Sequence, residues 1–430
     1  MFWIPVLALA GMLLSGLMVG ICLGMTGVIF LYFFGGGATA LQSAVIGVWN
    51  LLYNFSLSAL PLYLLLAELF VVTGLASRSY TAIAPLFERF PGKLLLSNVV
   101  IDAMFGAVVG TSMATAATVG GIAYPELSKR GYNRRALVGN LAGAGTLGSF
   151  VPPSIGLIIY GSWVQISVGS CFVASLFPAL VTIGLFMIYV MVHAKIQPDI
   201  APSAGEVTPL ARALIGTIGV WPLLILMFCI VGTIYLGLAT PTEAAGLGIL
   251  GAIILSIPFR MVSFKKIYSA LLSAASICGM VFFIMVGASI FAISVSVIGL
   301  PRFVILSVQE LGLAPIVVIL FVYALYLILG CFFDFISMLL MTLPFTFPLM
   351  MSIGADPLWF AIVLVITGEM GLITPPVGMN LYVLQGVTRG EVSLGEVARG
   401  SIPYFLMLGV SLGLITIFPQ LCTWLPTQMK

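Results

Sequence analysis

Apolar residues run along this chain in long blocks, with little of the alternation expected of a half-buried strand or an amphipathic surface helix. No charged residue falls within 2–67, 214–241, 311–333 or 401–429. Each block exceeds the ~20 residues that carry an α-helix across ~30 Å of hydrocarbon. The pattern predicts membrane spans at 3–34, 57–77, 136–163, 168–193, 216–236, 240–260, 267–299, 357–385 and 402–427. The more polar segment 35–56 reads as a surface or arm helix. Two further apolar stretches, 94–124 and 314–347, need the charges to place them.

Lys and Arg collect in the cytoplasmic loops of membrane proteins. Arg78, Arg89 and Lys93 mark 78–93, while Lys129, Arg130, Arg134 and Arg135 mark 128–135. Both segments are therefore expected as cytoplasmic loops, with the N-terminus on the same side. The stretch between them must enter and leave by one face, which predicts a re-entrant hairpin over 94–124 with its tip at Gly110-Thr111-Ser112. The flanks of 314–347 carry only Arg302, Glu310 and Asp356, so a second hairpin is expected there, entering from outside. Along this path only Arg302 and Lys430, of 16 basic residues, lie outside. A cytoplasmic linker over 195–215 separates an N-terminal half, 1–194, from a C-terminal half, 216–430.

Composition excludes a soluble fold: of 430 residues 61% are hydrophobic and 7% charged, against ~25% charged in an ordinary globular domain. Met1-Phe2-Trp3 lacks a basic n-region, so the first segment is expected to stay as a transmembrane helix. The six cysteines are scattered through apolar spans without a CxxC pair and read as small core residues. His193 is the single histidine, at a helix end, and no HExxH is present, which argues against an intramembrane protease or a histidine metal centre. GAGTLG (143–148) matches GxGxxG but follows no strand, so a dinucleotide reading fails. Gly16, Gly20 and Gly24 are spaced for close helix packing. Glu243 reads as the cap of the helix that starts there. No nucleic-acid partner and no enzymatic activity are expected.

Compared with itself at an offset of 223, the chain places Pro125, Gly131, Leu141, Gly145, Gly148, Pro152 and Pro153 on Pro348, Gly354, Leu364, Gly368, Gly371, Pro375 and Pro376 without a gap. The same offset lays Thr111-Ser112 on Asp334-Phe335. Because the charges put the two hairpins on opposite faces, the repeat is expected to be inverted. The fold class predicted is an all-α polytopic membrane protein of two inverted repeats, each with a re-entrant hairpin and a helix broken before Pro-Pro (136–163 and 357–385). Inverted repeats with discontinuous helices are the build of many secondary transporters, which bind ions and solutes at such breaks. Proline lacks an amide donor and glycine tolerates unusual dihedrals, so freed carbonyls face a cation and restarting helix N-termini face an anion.

GYNRRALVGNLAGAGTLGSFVPPSIGLIIYG (131–161), GLATPTEAAGLG (237–248) and GLITPPVGMNLYV (371–383) resemble the large membrane subunit of the tripartite ATP-independent periplasmic (TRAP) transporters, over essentially the whole chain and in the unfused form. The resemblance implies an elevator-type, ion-transporter-like importer of organic acids in the bacterial inner membrane, driven by Na⁺ at two or more sites. A periplasmic binding protein would deliver the substrate, and a small membrane subunit of about four helices would pack against the scaffold. Carried onto this chain, one Na⁺ site would use Gly110, Thr111, Ser112, Gly148 and Val151. The other would use Asp334, Ser337, Gly371 and Thr374. Substrate would lie near Ser149, Ser154, Thr374 and Asn380, with Pro152, Pro153, Pro375 and Pro376 as the breaks. A common form of the family's first hairpin carries an Asp just after the tip. Here Ala114-Thr115-Ala116 carries none, leaving hydroxyls and carbonyls as ligands.

Single residues keep a structural alternative. Asp334 in the second hairpin binds either Na⁺ or a nearby serine or backbone amide. Asp102 is a possible site residue or a carboxylate satisfied by Asn98, and Glu369 would tie a helix end. Glu68 would make a packing or subunit contact.

Overall fold

Apolar all round, most segments of this chain have no polar face to turn to water, and only helices satisfy their backbone within one segment. Every regular element among the described residues is helical. The structure, a computed structural model, describes residues 4–202 and 217–428. The expected linker therefore lies largely outside the described residues, as do Met1, Arg212 and Lys430.

In chain order the helices of the first half are α1 (Ile4–Leu14), α2 (Val19–Phe34), α3 (Ala38–Leu52), α4 (Ala59–Val72), α5 (Leu75–Phe87), α6 (Leu94–Val109), α7 (Ser112–Lys129), α8 (Arg134–Gly145), α9 (Leu147–Phe150), α10 (Ile155–Val164) and α11 (Val168–Ile196). The second half has α12 (Trp221–Tyr235), α13 (Pro241–Ser256), α14 (Phe264–Ile298), α15 (Leu300–Glu310), α16 (Pro315–Gly330), α17 (Phe335–Ser352), α18 (Pro357–Leu372), α19 (Met379–Val387), α20 (Leu394–Ile417) and α21 (Gln420–Gln428).

Several boundaries correct the sequence reading. The single span 3–34 is two helices, because Gly16, with φ +79°, turns the chain between them. Most of the loop 78–93 is the helix α5, on which Arg78 rests its guanidinium 3.7 Å from the Phe259 ring centroid. Span 402–427 divides at Phe418-Pro419, where proline has no amide to continue the ladder. Helix α15 was not anticipated. Both hairpins, by contrast, fold as helix-turn-helix units with their tips at the expected residues, and 35–56 holds the helix α3.

Caps explain several starts. Thr240 and Glu243 form a reciprocal capping box at α13, as do Ser393 and Glu396 at α20. Asn133 caps α8 through Ala136 N.

The broken helices occupy the centre. In the α8–α10 stretch 94% of the most apolar window is buried, against 39% for α20. The long α14 packs along α2, α3 and α4 at the periphery. There a Cβ at Gly20 would lie 2.7 Å from the Phe283 ring, and one at Gly24 would lie 3.7 Å from Gly287 Cα. Gly20 and Gly24 thus pack closely as their spacing suggests, while Gly16 has open space around it. Large side chains such as Phe33, Trp49, Phe264 and Phe321 face outward.

Candidate functional site

Each hairpin tip lies against the broken helix of its own half. In the first half α6 ends at Gly110, whose φ of +72° admits the tight turn. Its carbonyl accepts from Ile155 N at 3.1 Å, and Ser112 N donates to Ser149 Oγ at 3.0 Å. Thr111, extended, starts α7 without using its hydroxyl as a cap. Below the tip Gly106 packs on Gly148, 2.9 Å from a would-be Cβ to Gly148 Cα. A Cβ at Gly148 would lie 2.7 Å from the Thr111 carbonyl oxygen and would also meet the Thr115 hydroxyl. Glycine there leaves a small cradle of oxygens, with Val151 extended beside it.

The second half repeats the arrangement with different chemistry. The turn from Gly330 to Phe335 is longer, and Cys331 O accepts from Gly378 N at 2.9 Å. Gly330 packs on Gly371, 2.9 Å from a would-be Cβ to Gly371 Cα. One oxygen of Asp334 caps α17, accepting from Ile336 N and Ser337 N at 3.1 Å each. The structural role is thus real, and it leaves the second carboxylate oxygen outside the cap. Ser337 Oγ is buried without a partner, as are both polar atoms of the Asn380 side chain. In the core of a membrane protein such orphans are costly. They fit a site that an ion and a solute would complete.

Of the expected substrate residues, Ser154 caps α10 through Leu157 N, and the Thr374 hydroxyl donates to Met370 O at 2.6 Å. Ser149 is tied to the first hairpin. Pro152-Pro153 and Pro375-Pro376 are both cis and lie in the two breaks.

Two sequence readings fail here. Asn98 does not satisfy Asp102: its carbonyl accepts from Tyr80 OH at 3.0 Å and its amide donates to Asn140 Oδ1 at 2.9 Å. Both oxygens of the buried Asp102 are bare. Glu369 ties no helix end either. Its fully buried carboxyl faces Ser149 and Ser112, with neither oxygen in hydrogen-bonding geometry.

Phe335 was also missed. Cβ atoms at Gly156 and at Gly368 would both meet its ring. The tip of the second hairpin thereby wedges between the broken helices of the two halves. The only local signal was an aromatic beside Asp334 in CFFDFIS.

Residues 6–421 match the DctM component of the tripartite ATP-independent periplasmic transporters. The chain belongs to that family. It is 31% identical to the C4-dicarboxylate TRAP transporter large permease protein of Pseudomonas aeruginosa, over 95% of this chain and 94% of that one. It is 30% identical to the ectoine/5-hydroxyectoine TRAP transporter large permease protein of Ruegeria pomeroyi, over 86% of each. The fold is similar to the YdaH transporter of Alcanivorax borkumensis, with TM-score 0.64, 15% identity, and coverage of 89% of this chain and 90% of that one. TRAP large permeases are multi-pass membrane proteins of transport that work with a small membrane subunit and a periplasmic binding protein, and the all-helical fold of this TRAP permease agrees with that role.

Proposed function

We propose that this chain is the permease of a sodium-coupled importer in a bacterial inner membrane, accepting a carboxylate or sulfonate solute from a periplasmic binding protein. The observation that carries the reading is the pair of hairpin–helix junctions, each gathering oxygen donors beside a Pro-Pro break, with Ser337 and Asn380 buried and unpaired at the second. Na⁺ would be held in the first by the Thr111 carbonyl, Ser112 and the Gly148 cradle, with Gly110 and Val151 shaping the turn. In the second it would be held by the free oxygen of Asp334, Ser337, Gly371 and Thr374. All are hard oxygen donors, the ligand type such a cation prefers. The bare amide of Asn380 and the hydroxyl of Ser149 would orient the solute, with the N-terminus of α10 facing its negative charge.

Transport would proceed by an elevator movement of the hairpins and broken helices against the peripheral helices α2, α4 and α14. Named relatives carry C4-dicarboxylates and ectoines, all bearing a carboxylate, and the same class is proposed here. The test is uptake into proteoliposomes holding this chain, its small subunit and a binding protein. Uptake should require an inward Na⁺ gradient and the binding protein. Uptake that persists when Na⁺ is equal on both sides would overturn the mechanism.

A further inference from the structure

Glu369 is the buried group that the reading so far leaves without a task. It stands in α18, two residues before Gly371, with 0% exposure and neither carboxyl oxygen paired. Its helix packs on α9, which carries Ser149, and its carboxyl lies near Ser149 and Ser112, the residues that join the first hairpin tip to the first broken helix. A residue of the second half thus looks into the junction of the first.

We propose that Glu369 supplies, from the opposite half, the carboxylate ligand of the cation site at the first hairpin, so that an ion bound there is held jointly by both halves. This rests on the sodium-coupled reading above. Four observations support the assignment. The first hairpin has no acid of its own near the tip, where the second has Asp334. Asp102 is eight residues before Gly110 on α6, about 12 Å along the axis, and does not reach the tip. The oxygens already gathered there are neutral: the Thr111 carbonyl and the hydroxyls of Ser112, Ser149 and Thr115. Finally, no cation among the described residues is placed to neutralise Glu369. The elements packed on α18 carry basic residues only near their ends, His193 and Lys195 on α11 and Arg399 on α20.

A buried carboxyl in such a place carries a charge only with a counter-charge beside it, and otherwise keeps its proton. One carboxylate with several hydroxyl and carbonyl oxygens makes a set that a single monovalent hard cation neutralises. That ion would sit between Glu369 and the serines. Because Glu369, Gly371 and Thr374 lie within six residues of chain, an ion at the first site would also draw the second broken helix onto the first hairpin. Filling one site would then favour filling the other.

The experiment is thermal unfolding of the chain with its small subunit in nanodiscs, titrated with NaCl at constant ionic strength against choline chloride. Wild type should gain stability as Na⁺ rises. Glu369→Gln should elute as a folded complex and be at least as stable as wild type in choline, because the amide replaces a buried carboxyl that has no partner to lose. It should need at least about tenfold more Na⁺ for the same gain, with Glu369→Asp falling between. A purely structural glutamate would instead lower the midpoint in choline and leave the Na⁺ dependence unchanged, and that result would overturn the proposal. Should Glu369→Gln not fold, Ser149→Ala must also weaken the Na⁺ response; an unchanged response sinks the assignment. A wild type indifferent to Na⁺ would instead defeat the sodium-coupled reading itself.

Discussion

Asp334 shows how one side chain can hold two roles. One carboxylate oxygen caps α17 and the other is left outside the cap. Asparagine caps as well as aspartate, while alanine costs about 1 kcal/mol. Asp334→Ala is therefore expected to lower the thermal midpoint and abolish Na⁺-dependent uptake. Asp334→Asn should keep the midpoint and still lose the uptake. Normal uptake by the asparagine variant would leave Asp334 as a cap alone. The position of Asp334 was legible from the 223-residue offset, because a hairpin tip is a local feature. The surroundings of Glu369 were not, since Ser112 and Ser149 belong to the other half of the chain. Local pattern also suggested Asn98 as the partner of Asp102, one helical turn away, yet Asn98 is committed to Tyr80 and Asn140.

Those last contacts belong to a chain of hydrogen bonds that ties four helices together. Tyr80 on α5, Asn98 on α6, Asn140 on α8 and Tyr404 on α20 are linked at 2.9–3.0 Å, all buried. Tyr404→Phe would strip the Asn140 amide of its acceptor in the core. We expect a loss of about 1–3 kcal/mol, measured as a lower unfolding midpoint in detergent, with the helix content of the native state unchanged. At this scale the two hairpins differ as well. Four residues before the packing glycine stands Asp102 in one and Tyr326 in the other, and Tyr326 is satisfied by Thr342 and Thr346. Helix ends were harder to read than hairpin tips. A run such as 3–34 is apolar throughout, so hydropathy has no contrast with which to mark the turn at Gly16. α5 was hidden for the opposite reason, its charges resembling those of a loop.

For the molecule as a whole, the expected topology puts the two tips on opposite faces of the membrane. Gly110→Cys and Asp334→Cys, each in a background lacking the six native cysteines, should react with an impermeant maleimide from opposite sides of oriented vesicles. Labelling of both from one side would rule out the inverted arrangement. The sequence by itself determined that this chain lives in a membrane, where its hairpins turn and where its helices break. Those follow from composition, charge and the fixed chemistry of glycine and proline, all read over short distances. Only the tertiary structure decided that Phe335 wedges between the halves and that Glu369 lies at the first hairpin. Contacts between residues of opposite halves leave no periodic trace in the chain, because packing, not pattern, brings them together.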